Sequence, residues 1–556
     1  LYLRILKNHI NNNSINKEVI EDIFAEVIII FTESPKEIST ELDRINAKFL
    51  DLYEGFAIVT IKIRDIEKLK DINSIEAIEP PKSLFYRIEN GRNNSIHYEE
   101  EFEKIENEYE DNKYNLNGNG VLIGFVDSGI DFTHPAFKNF NNKTRIKNIY
   151  NIVENKVYDE DYINRALLKE NPFEFLDERD LIGHGTNVAS VASAGGLIPR
   201  EFYGVASEST ILMAKVGKEG VFYNSWQVQI MKGIKFLVHR AKELKMPLVI
   251  NLSLNSNSAD FLNEYLNRIG SLNNITIVSS VGNNGNREKH FRGLFSSNHK
   301  ICWNVAVGEQ GILMTLIKGR KDNVDIKINF PKGNFIKFNS KNDYKCFFVD
   351  EVKIAVYREF HQFDKELEYV KIFFESKEEY ISDGTWSIEF FSRELFKDEF
   401  DLWFPISRSI NEETRFFNGT REDTIVSPAV SQGVIAVGSC GEDYVLSDFS
   451  SIGREMEYSE VKPNIISKGE SRLVASGNWF TYKSGTSLSA AEVSGIAALL
   501  MEWGIVRGHD RDLYGSKLKY YIQLGAIRSK FTKYPNIEQG YGVISFQETM
   551  RLLENI

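Results

Sequence analysis

Four short stretches of this chain hold residue types that could together break an acyl bond. "YKSGTSLSAAEVSG" (482–495) sets Ser487 where a Gly-Thr turn runs into an Ala-rich apolar stretch. "DLIGHGTNVASVASAGG" (180–196) places His184 between glycines just ahead of another Ala-rich helix. "VLIGFVDSGIDFTHP" (121–135) ends an apolar run in Asp127, and "TIVSSVGNNGN" (276–286) ends one in Gly282-Asn283. Each has a plainer use when taken alone. A serine caps helices, an acid at a strand end suits a cap or a metal ligand, and asparagines beside glycines form turns. A histidine can simply pack, but the glycines around His184 let a backbone or substrate approach closely.

Taken together the four supply a complete reaction. A serine hydroxyl is a poor nucleophile at pH 7 and needs a base to take its proton. His184 can be that base if an acid such as Asp127 fixes its tautomer and stabilises the imidazolium. The oxyanion that then develops needs donors, which the Ser487 backbone N–H and the Asn283 side chain can provide.

These residues need a frame that gathers them. "VLIGFV" (121–126) is a continuous apolar run, as in a strand covered on both faces of a parallel sheet. Similar runs recur at Ile211–Val216, Leu248–Leu252 and Ile275–Val278, with helical patterns between them, as in Trp226–Leu244. The alternation predicts a doubly wound α/β domain whose site lies beyond the carboxyl ends of its strands. It stops near Gly308. Residues 309–423 alternate with period 2 in "VDIKINF", "KIAVY", "YVKIFF", "WSIEFF" and "FDLWF". They predict six to eight antiparallel strands in a jelly-roll sandwich. The α/β texture returns at "VIAVGS" (434–439), so the all-β block is inserted into one α/β domain, neither flank completing a sheet alone.

Ahead of this frame, residues 24–80 read β-α-β-β-α-β, the split ferredoxin-like order. Strand patterns lie at Phe24–Phe31, Phe49–Tyr53, Phe56–Ile63 and Ile75–Ile78, with helices over Lys36–Ala47 and from Ile66. The segment 91–120 reads as a linker, since "EEEFEKIENEYEDN" (99–112) carries eight acidic residues against one lysine. The expected domains are 1–96, 97–308, 309–423 and 424–556.

Composition limits the function. The 556 residues are 42% hydrophobic and 26% charged, material for several globular cores. A net charge of −12 argues against a nucleic-acid surface. Cys302, Cys346 and Cys440 are too scattered for a disulfide framework or a cysteine zinc site and read as buried free thiols. No apolar run reaches membrane-spanning length and no secretory pattern opens the chain, so a soluble, intracellular protein is expected. The acidic residues show no calcium-loop spacing, and neither metal nor cofactor is expected.

The motifs "DSGID", "HGTNVAS", "NLSL", "VGNNG" and "SGTSLSA" resemble those of the subtilisin-like serine proteases, and "VSPAVSQGVIAVGS" and "FSSIGR" match stretches preceding the nucleophile there. The resemblance implies Asp127, His184 and Ser487 as a triad, in that family's chain order, with Asn283 as oxyanion donor. It implies that Ser253, Leu254 and Asn255 lie on the strand that pairs with an extended substrate. Gly282 would lie at the pocket for the residue before the cut. The 1–96 block resembles the family's propeptide, an intramolecular chaperone and inhibitor. The layout is most similar to the Csp-type germination proteases of clostridial spores. That similarity implies autoprocessing near "GRNNSIHYEE" (91–100), a propeptide that stays bound, and a location in the spore cortex or coat region. It also implies a protein substrate, the inactive precursor of a cortex-degrading hydrolase. The alternatives are a catalytically silent relative acting in germination signalling and a general intracellular protease. The chain departs from the family at Asn187 (usually histidine), Ser190 (glycine), Asn255 (glycine) and Ala490-Ala491-Glu492 (Ser-Pro-His).

Overall fold

The structure is a computed structural model that describes residues 24–79, 114–217, 226–254, 260–297, 300–361, 363–376, 379–405, 410–455 and 460–555. Its first sheet comprises β1 (Phe24–Phe31), β2 (Lys48–Asp51), β3 (Phe56–Lys62) and β4 (Ile75–Glu79). The order is β2-β3-β1-β4, with every pair antiparallel, as a split β-α-β topology requires. The first crossover is the helix Pro35–Arg44, opened by a Ser34–Glu37 capping box. The second is a 3-10 helix, Ile63–Asp71, rather than an α-helix. Its buried residues Ile63, Ile66 and Leu69 recur every three positions, which suits three residues per turn. The run Val27–Phe31 is apolar throughout because both faces of β1 are covered. Val27 and Ile29 pack under the sheet's own helices, whereas Ile28 and Ile30 pack against the helices Trp226–Leu244 and Asp260–Ile269.

The chain then enters a second sheet through β5 (Leu122–Asp127), β6 (Ile146–Asn151), β7 (Lys156–Asp159), β8 (Thr210–Lys215), β9 (Leu248–Leu252) and β10 (Ile275–Ser280). It leaves for a long antiparallel block. This block consists of β11 (His290–Leu294), β12 (Lys300–Val305), β13 (Gly311–Gly319), β14 (Asn323–Asn329), β15 (Phe335–Asn339), β16 (Tyr344–Val349), β17 (Val352–Phe360), β18 (Leu367–Ser376), β19 (Gly384–Glu394), β20 (Glu399–Trp403) and β21 (Arg415–Phe416). It returns in β22 (Ile435–Cys440) and β23 (Ile465–Lys468). The second sheet runs β23-β22-β10-β9-β5-β8-β6-β7, parallel except for the edge pair β6–β7. Strands from both sides of the block therefore complete one sheet.

The block forms two antiparallel sheets, β11-β20-β13-β18-β17-β16 and β15-β14-β19-β12-β21, around a core of their own. It is larger than the six to eight strands expected and begins before residue 309. His290–Leu294 and Lys300–Val305 already pair with β20 and β19. The alternation that betrays β12 is Ile301, Trp303 and Val305 inward with polar or small residues between.

A last hairpin, β24 (Arg472–Ser476) and β25 (Trp479–Lys483), precedes the central helix Thr486–Met501. Together with a π-helical turn to Val506, this helix forms a 21-residue stretch that holds an 18-residue window of mean hydropathy 1.3. By length and composition it could span a membrane, contrary to the expectation above, but its apolar window is 83% buried within the protein. The parallel sheet and the helix His184–Ser193 pack on it, and every residue from Leu488 to Met501 is buried. Of the three free thiols only Cys440 is buried, since Cys302 and Cys346 lie on half-exposed outward positions.

Candidate active site

Asp127 is the last residue of β5, and its side chain is 2% exposed. Oδ1 accepts the backbone N–H of Ser128 at 2.7 Å and Nδ1–H of His184 at 2.8 Å. With its proton held at Nδ1, the ring presents Nε2 as a proton acceptor. Oδ2 is buried with no hydrogen-bond donor against it among the described residues. A buried carboxylate short of donors gains most when a positive charge arises beside it, which favours proton uptake by His184. The imidazole opens the helix His184–Ser193, whose N-cap Gly183 sits at φ 77°. Gly185 allows the helix start to touch the Asp127 turn, because a Cβ there would lie 2.1 Å from the Gly129 carbonyl oxygen.

The contact is held by a residue the motif reading missed. Asp180 Oδ1 accepts from Ser128 Oγ at 2.8 Å and from the Gly183 N–H at 2.9 Å. Its Oδ2 accepts the Thr186 N–H and hydroxyl at 2.8 and 2.7 Å. One carboxylate thus caps the His184 helix and ties it to the residue after Asp127. Its place four residues before His184, at capping distance, was the available signal.

Ser487 lies in the first turn of the helix Thr486–Met501, which packs against the His184 helix. Asn283 follows β10, and its Oδ1 accepts from the Thr486 N–H at 3.0 Å and hydroxyl at 2.8 Å. Those two donors fix the amide orientation, so Nδ2 points the other way. The space that a Cβ at Gly485 would fill lies 3.4 Å from Asn283 Nδ2 and 4.0 Å from the Ser487 backbone nitrogen. Two N–H donors therefore border one small open space beside the serine. That is the layout an oxyanion requires.

The "FSSIGR" and "NLSL" stretches hold this arrangement. The Gly282 carbonyl accepts from the Ser451 N–H at 2.9 Å, and the Gly285 N–H donates to the Phe449 carbonyl at 3.0 Å. Asn251 Nδ2 donates to Ser494 Oγ at 2.9 Å, seating the Ser487 helix on β9. Ser253 follows β9 with its hydroxyl turned inward, 3.0 Å from Asn251 Oδ1 and 3.3 Å from the Ser487 carbonyl oxygen. Leu254 packs against the adjoining core, and Asn255 lies outside the described residues. No group of three or more His, Cys, Asp or Glu side chains converges to hold a metal among the described residues.

The fold and site define a doubly wound α/β protein with an acid–imidazole pair and a serine–asparagine pair at strand ends and at the starts of two helices packed together. The Subtilase family profile matches residues 118–308 and 409–542, on either side of strands β13–β20, and the chain belongs to that family. A Csp protease B prodomain profile matches residues 3–82. Among solved structures the chain is similar to the Clostridium perfringens CspB protease, at 38% identity and a TM-score of 0.75. The match covers 80% of this chain and 95% of that one. Curated relatives include a subtilisin of Bacillus sp. (strain TA39), 27% identical over 169 residues, or 30% of this chain. Another is the major intracellular serine protease of Bacillus subtilis (strain 168), 25% identical over 231 residues, or 40% of this chain. The matches span 35% and 60% of those two proteins' own lengths.

Proposed function

We propose that the chain is a serine endopeptidase in which Ser487 attacks the scissile carbonyl, His184 relays the proton and Asp127 orients and stabilises the imidazolium. Asn283 Nδ2 and the Ser487 N–H receive the oxyanion. The observation that carries this reading is the 2.8 Å bond from His184 Nδ1 to the buried Asp127, which leaves Nε2 as the base. The acyl-enzyme formed on Ser487 is then hydrolysed by water that His184 deprotonates.

The N-terminal sheet acts as a propeptide retained after cleavage. Its Ile28, Ile30, Leu52, Phe56 and Ile58 share one apolar cluster with the core helices. Tyr265 donates to the Leu52 carbonyl at 3.0 Å, Arg268 donates to the Glu54 carbonyl at 3.0 Å, and Lys232 pairs with Glu26. An interface of that kind does not need the covalent link. The expected cut, within 91–100, lies outside the described residues. The inserted sheets are a jelly-roll variant: β12–β19 and β13–β18 are nested long-range pairs, while β14–β15 and β16–β17–β18 are local hairpins.

The reading extends to a spore location and to action on the precursor of a cortex hydrolase, as the resemblance to Csp-type proteases implies. Two assays test the reading. Ser487→Ala should keep the chain folded with its propeptide attached, whereas the unaltered chain yields two fragments on a denaturing gel. Identical full-length bands would refute autoprocessing. Incubation with unfolded casein and with a cortex-hydrolase precursor separates the substrates, and digestion of casein alone would refute the germination role.

A further inference from the structure

We infer that the hairpin β24–β25 is a shared anchor for the segments carrying Asp127, His184 and Ser487, with Asn187, Ser190 and Glu492 as positioning residues acting through it. The inference rests on the proteolytic reading above. Each of the three segments bonds to this hairpin. Beyond Asp127, His134 is 2% exposed and its Nδ1 accepts the Ala136 N–H at 3.1 Å. Its Nε2–H therefore donates to the Trp479 carbonyl at 2.9 Å, and its ring packs edge-on against Phe480. From the His184 helix, Asn187 Nδ2 donates to the Ala475 carbonyl at 2.7 Å, and the Ala475 N–H donates to Ser190 Oγ at 2.9 Å. From the Ser487 helix, Glu492 is 3% exposed, accepts the Ser467 hydroxyl, and lies 3.3 Å from Arg472 Nη1.

These three helix residues are among the family departures already noted, and all three act on one strand. Asn187 and Ser190 hold Ala475, while Glu492 holds Arg472, which pairs across the hairpin with Lys483. Lys483 leads through Ser484 and Gly485 into Ser487. Ala475 is fully buried, so its two backbone groups have no water to turn to, and their bonds are directional. Strand β24 thereby fixes the separation of the two helix starts. A shift of about 1 Å between reacting groups costs on the order of a hundredfold in rate.

The test uses the full chain and the rate at which a fluorophosphonate probe labels Ser487, beside thermal melts. Asn187→Ala and Glu492→Gln should each slow labelling about ten- to a hundredfold at temperatures where the chain stays folded. The double variant should be much faster than the product of the two losses, because a strand freed at one end no longer transmits the other restraint. Asn187→His, whose ring N–H can reach the same carbonyl, should recover much of the rate. Variants that melt earlier but label at the unaltered rate would overturn the anchor and leave the residues merely structural. If the unaltered chain is not labelled, the proteolytic reading itself fails. Amide exchange then decides the anchor: Asn187→Ala should speed exchange in residues 484–488 as well as at Ala475, and unchanged exchange in 484–488 would overturn it.

Discussion

The parallel sheet and the inserted sandwich bury their strands in opposite ways. Every residue of β5, β9, β10 and β22 is buried, so both faces of that sheet are committed to packing. Chemistry is left to the strand ends, where Asp127 and Asn283 stand. In β13 and β14 burial alternates residue by residue, one face inward and one to solvent. Most polar side chains of these two strands thus face outward, and the Lys318–Glu368 ion pair is a buried exception. Full burial of strands concentrates chemistry at their ends, whereas half-burial disperses it.

The sandwich core is an apolar cluster separate from those of the parallel sheet. Trp386 lies at its centre, 1% exposed, with Phe330 at 4.6 Å and Phe374 at 5.4 Å between ring centres. Trp386→Ala should destabilise the sandwich by about 3–5 kcal/mol. Calorimetry should show an earlier transition while Ser487 labelling persists below it. Simultaneous loss of labelling would break the distinction between the regions. In the parallel-sheet region the reverse is expected. Gly485→Ala puts a methyl between Asn283 Nδ2 and the Ser487 nitrogen, and should lower kcat about 10²–10³-fold at temperatures where the chain stays folded, with some loss of melting temperature because φ 157° favours glycine there.

A smaller effect concerns pH. Burial is the main cause holding the His134 imidazole below its ordinary value of 6.5, and the Trp479 carbonyl opposes it only in part. The unfolded chain then binds the proton more readily than the folded one. The His134 contribution is complete above about pH 6.5 and drains away as pH falls from there toward the lowered folded value. Melting temperature of the unaltered chain should therefore drop more steeply between pH 7 and 5 than that of His134→Gln. Parallel curves would contradict this. Smallest of all, Phe391→Ser on the solvent face of β19, where the ring is 46% exposed and faces only Lys337 Nζ at 5.8 Å among the cations described, should change stability by no more than about 1 kcal/mol in chemical denaturation. A larger loss would mean that the outer face is not a free surface.

Much of this was legible in the chain itself. Asp127, Asn283, His184 and Ser487 stand where apolar runs end or small-residue helices begin, and those textures follow from burial on both faces. The ferredoxin-like order of the first sheet was equally readable, down to its strands. The start of the sandwich was not, because β11 and β12 are short and separated from their partners β20 and β19 by long stretches of chain. The 3-10 crossover was read as an α-helix because Ile66 and Leu69 fit either periodicity.

The sequence alone determined which residues could react and that each sits at the end of an element. Burial patterns and turn residues are local properties, and a single chain displays them directly. Tertiary structure decided what holds those residues in place. Asp180 against Ser128, Asn187 against Ala475 and Glu492 against Arg472 are side chains meeting groups from other elements, in the second case 288 positions away. No spacing or periodicity encodes such a meeting. It exists only once the sheet has closed and the central helix has brought the chain's distant parts together.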